Sequence, residues 1–468
     1  MVFGSAVFLF IFLPIVLILH TIIKNTKIRN GLLIVSSLIF YAFGEPIYIL
    51  LLLGSVGVNF LFGRLLYERK NKGILALAVV INLLLLVIFK YTGFLVETFN
   101  GIFNTAIPVP QIVMPIGISF FTFQAISYIV DVYRGKTDRK AGFFEVLLYI
   151  ALFPQLVAGP IVQYRTVADA IKDRKVTVDA FSTGTRKFII GLSKKMLLAN
   201  AMGLVADKVF AMDTSAIDTP LAWFGGVCYC LQIYFDFSGY SDMALGIGGM
   251  LGFEFPKNFD HPYIAVGIRD FWRRWHMSLT SWFREYLYIP LGGNRKGRGR
   301  QILNSMIVFV CTGIWHGANL TFLVWGFFHG VLMSVETLLV KKDSKPPKAL
   351  APVIWFVTMI AVVVGFVIFR ADNLSYGISY IGRMFAFVSM DEGYRVLMSF
   401  LSPSMIVTLV VAVIACCPVV GFINKITAGK TINKVLDTTG YVLSLMLLVL
   451  CIMSLASNSY NPFIYFRF

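Results

Sequence analysis

Apolar runs long enough to cross a lipid bilayer recur along the whole sequence, and they restrict the chain to a membrane fold. Hydrophobic residues make up 58% of the 468 residues and charged residues only 14%, which is too apolar for an ordinary soluble domain. A helix needs about 20 apolar residues to span the hydrocarbon core. Runs near this length are 2–19, 31–62 (interrupted at Gly44-Glu45-Pro46), 74–89, 111–130, 188–206, 221–250, 302–339, 352–369, 404–424 and 438–456.

These runs predict an all-α integral membrane protein, a polytopic helical bundle of roughly eleven transmembrane helices plus re-entrant and interfacial helices. No segment shows the alternation of about ten residues that is typical of an outer-membrane barrel. The first run has no basic stretch before it and no small-residue cleavage site after it, so we expect a retained helix rather than a signal peptide. No linker or composition shift divides the chain, so we expect one membrane domain over residues 1–468.

Lysine and arginine are in excess, with 41 against 24 aspartates and glutamates, which gives a formal charge of +17. In a membrane protein this excess first marks the cytoplasmic loops, so it does not indicate nucleic-acid binding. All basic loops fall on one side if the N-terminus lies outside and segment 143–161 dips into the membrane and returns. We therefore expect a multi-pass protein of the cytoplasmic membrane. The loops are Lys24–Arg29, Arg64–Lys72, Arg134–Lys140, Arg165–Lys187, Arg269–Arg300, Lys341–Lys348 and Lys425–Lys434.

Residues 254–300 form a basic and aromatic segment that interrupts the apolar pattern. Near-helical spacing of its aromatic residues, with arginines between them, predicts amphipathic helices in the membrane interface. We expect the aromatic face to contact lipid and the guanidinium face to contact phosphates. The final RKGRGR, residues 295–300, predicts a flexible basic loop that can wrap around an anionic ligand. This face comprises the aromatic residues Phe271, Trp275, Trp282 and Tyr286 together with the aliphatic Leu279.

The six cysteines lie in apolar segments and lack the spacing of metal ligands, so we expect packing roles for them. Cys311 is five positions before His316, which places it about 140° away around a helix. We therefore do not expect a cysteine nucleophile activated by this histidine.

His316 is the histidine that most needs an explanation. If its helix begins near residue 302 on the cytoplasmic side, His316 lies roughly 20 Å along it, at hydrocarbon depth. An ionisable side chain at that depth indicates a functional site. Its neighbours Trp315, Gly317 and Asn319 would supply an aromatic wall, room for close approach and a hydrogen-bonding group.

The other four histidines admit less specific interpretations. His276, in the basic segment, is either a surface histidine or a second member of the same site. His329 lies about 220° further around a continuous helix than His316, so the two share a face only across a break. We expect His329 to be a packing residue or to support the site. His20 is expected at the membrane interface, and His261 in a turn.

Two stretches carry a resemblance to a known family. DFWRRWHMSLTSWFREYLYIPLGG (270–293) and GIWHGANLTFLVWGFFHG (313–330), separated by a basic loop, resemble the membrane-bound O-acyltransferase family. The resemblance is to its bacterial branch, which includes the alginate O-acetylation membrane subunit and the teichoic acid D-alanyl transferase. It extends over SSLIFYAFGEPIYILLLLGSVGVNF, PIGISFFTFQAISYIVDVYRG, FPQLVAGPIVQY, YFDFSGYSDMALG and the terminal NPFIYFRF.

The resemblance implies that His316, in Trp-His-Gly, is the catalytic histidine and that His276 is the family's second histidine. It also implies a helical bundle in which a thin central layer separates a cytoplasmic donor entrance from an outward-facing funnel. A neutral imidazole in a low-dielectric pocket is available as a general base, the role we expect for His316. His276 would either hold the developing oxyanion or orient the donor.

The basic segment supplies the expected contacts to an anionic donor, since guanidinium groups bind phosphates well. We expect no metal, because no ligand spacing is present, and no permanently bound cofactor. Asp236 is either hydrogen-bonded structurally or orients a catalytic histidine. The residues expected to bind the donor or substrate are Arg273, Arg274, Trp275, Trp315, Asn319, Arg295, Lys296 and Arg298.

These observations predict an O-acyltransferase that moves an acyl group, expected to be acetyl, to a hydroxyl on the outer side of the membrane. The expected donor is a cytoplasmic thioester, either acetyl-coenzyme A or an acylated phosphopantetheine carrier protein. The expected acceptor is a cell-surface or exported polysaccharide, with an extracytoplasmic SGNH-type acyltransferase as partner. Two alternatives stay open: D-alanyl transfer to teichoic acid through a carrier protein, and a transporter of polysaccharide or solute, which should show inverted repeats and midplane carboxylates.

Overall fold

Helices dominate the structure because a segment in lipid can satisfy its backbone hydrogen bonds only within itself or in a closed barrel. The computed structural model describes residues 1–137, 140–340, 346–427 and 432–457, and every regular element among them is helical. The predicted all-α membrane fold class is confirmed. The terminal motif NPFIYFRF and parts of three basic loops (134–140, 341–348 and 425–434) lie outside the described residues.

The helices differ widely in length, from four residues to 33. The α-helices are α1 Leu13–Ile22, α2 Thr26–Ala42, α3 Ile49–Glu68, α4 Lys72–Phe103, α5 Ile118–Tyr133, α6 Phe143–Ala151, α7 Phe153–Leu156, α8 Tyr164–Lys172, α9 Val178–Ser193, α10 Asn200–Phe210, α11 Thr219–Leu251, α12 Ile268–Arg274, α13 Met277–Phe283, α14 Gly297–His316, α15 Leu320–Leu339, α16 Ala351–Arg370, α17 Leu374–Met384, α18 Asp391–Phe400, α19 Pro403–Ala415, α20 Val419–Thr427 and α21 Ile432–Ala456. Turns of π-helix occur at Phe8–Phe12, Lys194–Ala199 and Arg284–Tyr288, and turns of 3₁₀-helix at Thr214–Ala216 and Pro262–Ile264.

Six helical segments of the described chain are long and apolar enough to cross a bilayer: α3, α4, Val178–Phe210, α15, α16 and Thr438–Ala456. The number becomes seven if α18 and α19, which are bent by 78°, form one span. Phe8–Ile22 and α5 are shorter apolar helices, and α11 and α14 reach 33 and 20 residues. Together these helices are consistent with the roughly eleven spans predicted.

The described chain forms two compact units. Unit 1 comprises the described residues of Met1–Phe188 and Tyr240–Lys257, and unit 2 those of Ile189–Gly239 and Asn258–Phe468. Both histidine motifs, 270–293 and 313–330, belong to unit 2.

Unit 1 joins its helices through polar side chains buried among apolar ones. Asn59 in α3 and Asn82 in α4 exchange side-chain amide hydrogen bonds of 3.0 and 2.8 Å. Arg174, between α8 and α9, is buried and donates to the Leu251 carbonyl at 3.1 Å and to Asn30 Oδ1 at 2.6 Å. Such contacts give buried polar groups the partners that they lose on leaving water.

Unit 2 contains a tight hairpin of α14 and α15. A Cβ atom on Gly313 would lie 2.3 Å from the Phe322 carbonyl oxygen, and one on Gly326 would lie 2.4 Å from the Phe309 carbonyl oxygen. Only glycine permits this approach. α14 ends at His316, and Asn319 begins the next helix by accepting a hydrogen bond from the Thr321 amide at 3.0 Å. The apolar run 302–339 is therefore broken between the two helices.

The expected lipid-facing aromatic surface of the basic segment is wrong. Phe271, Trp275, Leu279 and Trp282 are only 1–7% exposed and pack inside the protein. The reason is that helical periodicity identifies an apolar face without telling whether lipid or protein covers it, since lipid tails are as apolar as core side chains.

The end of this segment is less flexible than the sequence suggested. Gly292 and Gly293 have positive φ angles of 105° and 58° and form the expected turn. Of RKGRGR, the last four residues, Gly297 to Arg300, already form the first turn of α14, so only Arg295 and Lys296 lie outside the helix.

Four of the six cysteines are buried, as expected for packing residues, whereas Cys311 is half-buried and Cys417 is exposed.

Candidate active site

Three histidines of unit 2 lie in one aromatic cluster. The Trp315 ring centroid lies 6.2 Å from that of His276 and 4.9 Å from that of His316. The Trp325 ring lies 5.2 Å from His316 and 5.0 Å from His329. The break after α14 thus allows His316 and His329 to contact the same indole, and an unbroken helix would not.

His316 is the last residue of α14 and is 7% exposed. The rings of Trp325 and Phe369 stand almost perpendicular to its imidazole, at 88° and 82° and with centroids 5.2 and 5.0 Å away. These aromatic walls exclude water and lower the local dielectric, which strengthens any electrostatic interaction with a reacting group.

His276 has a defined tautomer. Its Nδ1 lies 3.1 Å from Asn258 Oδ1, and the Ser278 backbone N–H donates to the same atom at 3.1 Å. Because a backbone N–H only donates, this Asn258 atom is the amide oxygen, and His276 Nδ1 must carry a hydrogen. Nε2 then holds a lone pair. It is buried and has no hydrogen-bond partner in the described part of the chain.

The backbone also holds His276 in place. Its φ of 45° and ψ of 52° lie in the left-handed region, which residues other than glycine seldom adopt. The Met277 amide donates to the Asn258 carbonyl at 2.9 Å and fixes this turn before α13. Burial lowers the pKa of His276 to about 3, so its ring is neutral near pH 7.

His329 lies in α15 and is 2% exposed. The Trp272 ring meets it at 90°, with centroids 5.2 Å apart. A Cβ atom on Gly365 would lie 2.8 Å from His329 Nε2, so α16 needs glycine there to make room for the ring. Nδ1 of His329 has no hydrogen-bond partner among the described residues. The expectation that His329 supports the site stays a prediction.

Two indoles complete the cluster, and sequence reasoning singled out neither of them. Trp272 and Trp325 are 6% and 2% exposed, and their Nε1 atoms have no hydrogen-bond partner within the residues described. An indole N–H can only donate. Buried donors without partners are rare in proteins, so the N–H of Trp325, whose ring also contacts His316, is a candidate for donation to a bound ligand.

The two adjacent arginines of the basic segment differ. Arg274 pairs with Asp270, with Nε 3.1 Å from each carboxylate oxygen, and donates to the Asp260 carbonyl at 3.2 Å. Arg273 is exposed and makes no ion pair or hydrogen bond with any described residue. Arg273 is therefore the cation that remains available to an anionic ligand.

Arg273 lies at a cavity of about 760 Å³ in unit 2. Its wall is mainly apolar, and Leu332 in α15 lies one helical turn beyond His329. Glu336, one turn further, accepts a hydrogen bond of 2.7 Å from the Ile268 amide. The volume falls in the range of small-molecule sites. The lining residues are Val266, Gly267, Ile268, Arg269, Asp270, Arg273, Leu332, Val335, Glu336, Leu339, Val340, Pro346, Val353, Ile354, Val357 and Thr358.

Several expected binding residues lie apart from this cluster or are used within the fold. Arg295, Lys296 and Arg298 are exposed. Asn319 caps α15 and donates to the Asp372 carbonyl at 2.9 Å, so its amide is engaged in the fold.

Trp275 packs into the core against Phe271, with ring centroids 5.6 Å apart. Asp236 forms a buried ion pair with Lys195. This pair favours the structural alternative for Asp236.

Comparison with known proteins supports the same region. Residues 138–376 match the family model described as MBOAT, membrane-bound O-acyltransferase family, and this range includes both histidine motifs. A probable alginate O-acetylase of Pseudomonas putida is 39% identical over 100% of this chain and 100% of its own. A peptidoglycan O-acetyltransferase of Helicobacter pylori is 35% identical over 82% of this chain and 80% of its own. A teichoic acid D-alanyltransferase of Bacillus subtilis is 30% identical over 77% of this chain and 94% of its own.

Proposed function

Since the chain belongs to the membrane-bound O-acyltransferase family, we propose that it acetylates a polysaccharide, taking the acetyl group from a cytoplasmic thioester and delivering it across the cytoplasmic membrane. The observation that carries this proposal is the aromatic cluster of three buried histidines, in a unit that also holds a mainly apolar cavity lined in part by the exposed Arg273. General-base chemistry at a thioester needs a neutral imidazole, a dry pocket and a site for the donor.

In the proposed reaction, His316 takes the proton of an acceptor hydroxyl while the hydroxyl oxygen bonds to the thioester carbonyl carbon. The carbonyl electron pair moves onto its oxygen. When this intermediate collapses, the carbon–sulfur bond breaks and its electron pair leaves with sulfur. The proton held by His316 passes to the thiolate, so the products are an ester and a free thiol. General-base catalysis contributes about 10² to 10⁴ in rate.

The cavity at Arg273 suits the donor. Its apolar wall fits the uncharged arm of a phosphopantetheine thioester, and the Arg273 guanidinium fits a phosphate. Arg295, Lys296 and Arg298 are exposed around the start of α14, and we propose that they offer further contacts to phosphates. We therefore propose acetyl-coenzyme A as donor, with an acylated carrier protein as the variant that delivers the same arm.

The names of the relatives suggest the acceptor. An alginate O-acetylase and a peptidoglycan O-acetyltransferase both have polysaccharide targets by name. We propose a cell-surface or exported polysaccharide, reached directly or through an extracytoplasmic SGNH-type partner. D-alanyl transfer to teichoic acid stays the second candidate because the Bacillus subtilis relative is named for it. Both candidates use the same thioester chemistry, whereas the transporter alternative has no support from the family match.

The test is acyl transfer by the purified protein in lipid nanodiscs. Labelled acetyl-coenzyme A and a labelled D-alanyl carrier protein are supplied in parallel, with a polysaccharide acceptor. We expect acetyl transfer by the wild type, no transfer by His316→Ala and near wild-type transfer by His261→Ala, which changes a histidine of a polar loop. Equal transfer by wild type and His316→Ala would contradict the catalytic role. D-alanyl transfer in place of acetyl transfer would select the second candidate.

A further inference from the structure

We propose that Trp325 is a catalytic residue whose indole N–H donates a hydrogen bond to the thioester oxygen as it becomes an oxyanion, and that Asn258 is a positioning residue that fixes His276 as a hydrogen-bond acceptor. This inference rests on the proposed function and assigns a donor that neither the sequence motifs nor the relatives' names supply.

The hydrogen bond at Nδ1 limits what the His276 ring can do in the reaction. An oxyanion requires a hydrogen-bond donor aimed at it. His276 uses its Nδ1–H on Asn258 Oδ1 at 3.1 Å, so the other nitrogen of the neutral ring offers only a lone pair. Of the two expected roles for His276, this contact favours orienting the donor over holding the oxyanion.

The Asn258 side chain is well placed to enforce this tautomer. Its amide oxygen also accepts from the Ser278 amide at 3.1 Å and from Ser278 Oγ at 2.9 Å. Asn258 and His276 are each 1% exposed, so water does not compete for these contacts. The amide and hydroxyl of Ser278 in α13 hold this oxygen in position, and the Nδ1–H of His276 donates the third hydrogen bond to it.

Trp325 offers the hydrogen-bond donor that an oxyanion would need. The buried Nε1–H of Trp325 has no hydrogen-bond partner in the described part of the chain. Its ring contacts His316, the proposed base, at 5.2 Å and Phe369 at 5.2 Å. A donor that stays unsatisfied in the free protein and meets its acceptor only in the reaction stabilises the transition state selectively.

Trp272 provides a matched control within the same cluster. Its indole N–H is also buried and without a hydrogen-bond partner among the described residues. Its ring contacts His329 at 5.2 Å and Trp325 at 5.8 Å, and no ring contact joins it to His316 in the described structure. Removing the N–H of Trp272 therefore tests the loss of a buried donor that is not beside the base.

The first experiment compares Trp325→Phe with Trp272→Phe in acetyl transfer. Both changes keep an aromatic ring and delete the N–H. We expect Trp325→Phe to lower kcat about 10²- to 10³-fold with little change in KM for the donor, and Trp272→Phe to have a much smaller effect. The loss in Trp325→Phe should shrink with fluoroacetyl-coenzyme A, because an electron-poor carbonyl forms its oxyanion more easily. Equal losses in the two variants, or a loss confined to KM, would overturn the Trp325 assignment.

The second experiment addresses Asn258 through His276. Asn258→Leu removes the acceptor and should lower transfer about 10²-fold in wild-type protein. In a His276→Gln background it should cause no further loss of transfer, because the positioning role proposed for Asn258 depends on His276. A merely structural role would reduce activity in both backgrounds. Ser278→Ala keeps the backbone N–H and the imidazole contact, so it should change transfer little.

Two readouts do not depend on turnover. Nitrogen NMR of histidine-labelled protein should show one ring, absent in His276→Gln, with its hydrogen on Nδ1 and a bare Nε2. A hydrogen on Nε2 would overturn the Asn258 assignment. The infrared carbonyl band of a bound ketone analogue of acetyl-coenzyme A should shift to higher frequency in Trp325→Phe, and an unchanged band would overturn the Trp325 assignment. If the wild type transfers no acyl group, the proposed function fails, whereas these two readouts still show whether Asn258 sets the His276 tautomer and whether the Trp325 N–H meets a bound carbonyl.

Discussion

Two histidine-containing regions, one in each unit, use their polar groups in opposite ways. In unit 1, Arg174 donates to the Leu251 and Ala170 carbonyls, to Asn30 Oδ1 and to His20 Nε2 at 2.6–3.3 Å, and it lies 4.7 Å from the Phe253 ring. In unit 2, the cluster around His316 leaves His276 Nε2, His329 Nδ1 and two indole N–H groups without hydrogen-bond partners in the described chain.

The difference separates a structural role from a functional one. The described contacts of Arg174 are all made within the fold, so we expect this residue to affect stability rather than turnover. In the unit 2 cluster, burial of polar groups without hydrogen-bond partners costs free energy, and a substrate that supplies an acceptor to the Trp325 N–H would offset part of that cost. Burial of a histidine is thus less informative than the state of its ring nitrogens.

The largest effect on acyl transfer should come from replacing His316, and the same replacement of His20 should leave transfer nearly unchanged. His316→Gln should lower acyl transfer about 10²- to 10⁴-fold, because it removes the base without changing the fold. His20→Gln should leave transfer per folded molecule close to wild type and lower the melting temperature. Single-turnover transfer and thermal unfolding in detergent, measured on both variants, decide the matter. A loss of turnover in His20→Gln equal to that in His316→Gln would contradict the structural role of His20.

The buried ion pair of Lys195 and Asp236 lies in the same unit as the site, but its charges have partners within the fold. Asp236→Asn should destabilise the protein by about 3–5 kcal/mol, since it leaves Lys195 buried without its charge partner. The double change Lys195→Met with Asp236→Leu should recover most of this stability. Unfolding midpoints report both effects. Recovery of stability without recovery of turnover would show instead that Asp236 serves the reaction.

Arg174→Gln should destabilise the protein by about 3 kcal/mol, because it removes a charged donor from several buried acceptors. Lys175→Gln changes the exposed neighbour and should have little effect. Transfer per folded molecule should be unchanged in both variants. The measurement is the unfolding midpoint together with activity corrected for folded protein. A stable but inactive Arg174→Gln protein would contradict the structural role.

The neutral ring of His276 predicts a pH dependence of stability. The unfolded chain takes up a proton on this histidine below about pH 6.5, whereas the folded chain, with a pKa of about 3, does not. Stability is therefore lost as the pH falls through this window. His276→Gln should lose about 2 kcal/mol less than wild type between about pH 7.5 and pH 5. Parallel unfolding curves at the two pH values would contradict the buried neutral state.

The smallest effect separates the two adjacent arginines. Arg273→Gln should raise KM for acetyl-coenzyme A roughly five- to tenfold and weaken its dependence on salt, as expected for loss of one phosphate contact. Arg274→Gln breaks the contact with Asp270 and should mainly lower stability. Steady-state kinetics at two salt concentrations test both. A KM effect confined to Arg274→Gln would move the donor site away from the cavity at Arg273.

Sequence reasoning anticipated the fold class because apolar length alone identifies membrane helices. It also singled out His316, and it stated that His329 joins the same face only across a break, which the structure places between residues 316 and 320. It erred for Phe271 and Trp275, since an amphipathic pattern does not tell lipid from protein.

Other features of the site had no signal in the sequence. Asn258 and His276 are 18 residues apart, and their contact depends on a left-handed backbone at His276 that no propensity favours. The indole N–H of Trp325 is a candidate donor because it has no partner in the described structure, and only side-chain positions reveal this.

A structure with a bound donor analogue would test whether His316 acts on a thioester inside the cluster. An experimental structure with the ketone analogue of acetyl-coenzyme A should place an acceptor oxygen or water about 3–3.5 Å from both the His316 ring and the analogue's carbonyl carbon. The carbonyl oxygen should then meet the indole N–H of Trp325. An analogue bound elsewhere, with the imidazole enclosed by aromatic rings and no passage to it, would contradict the account.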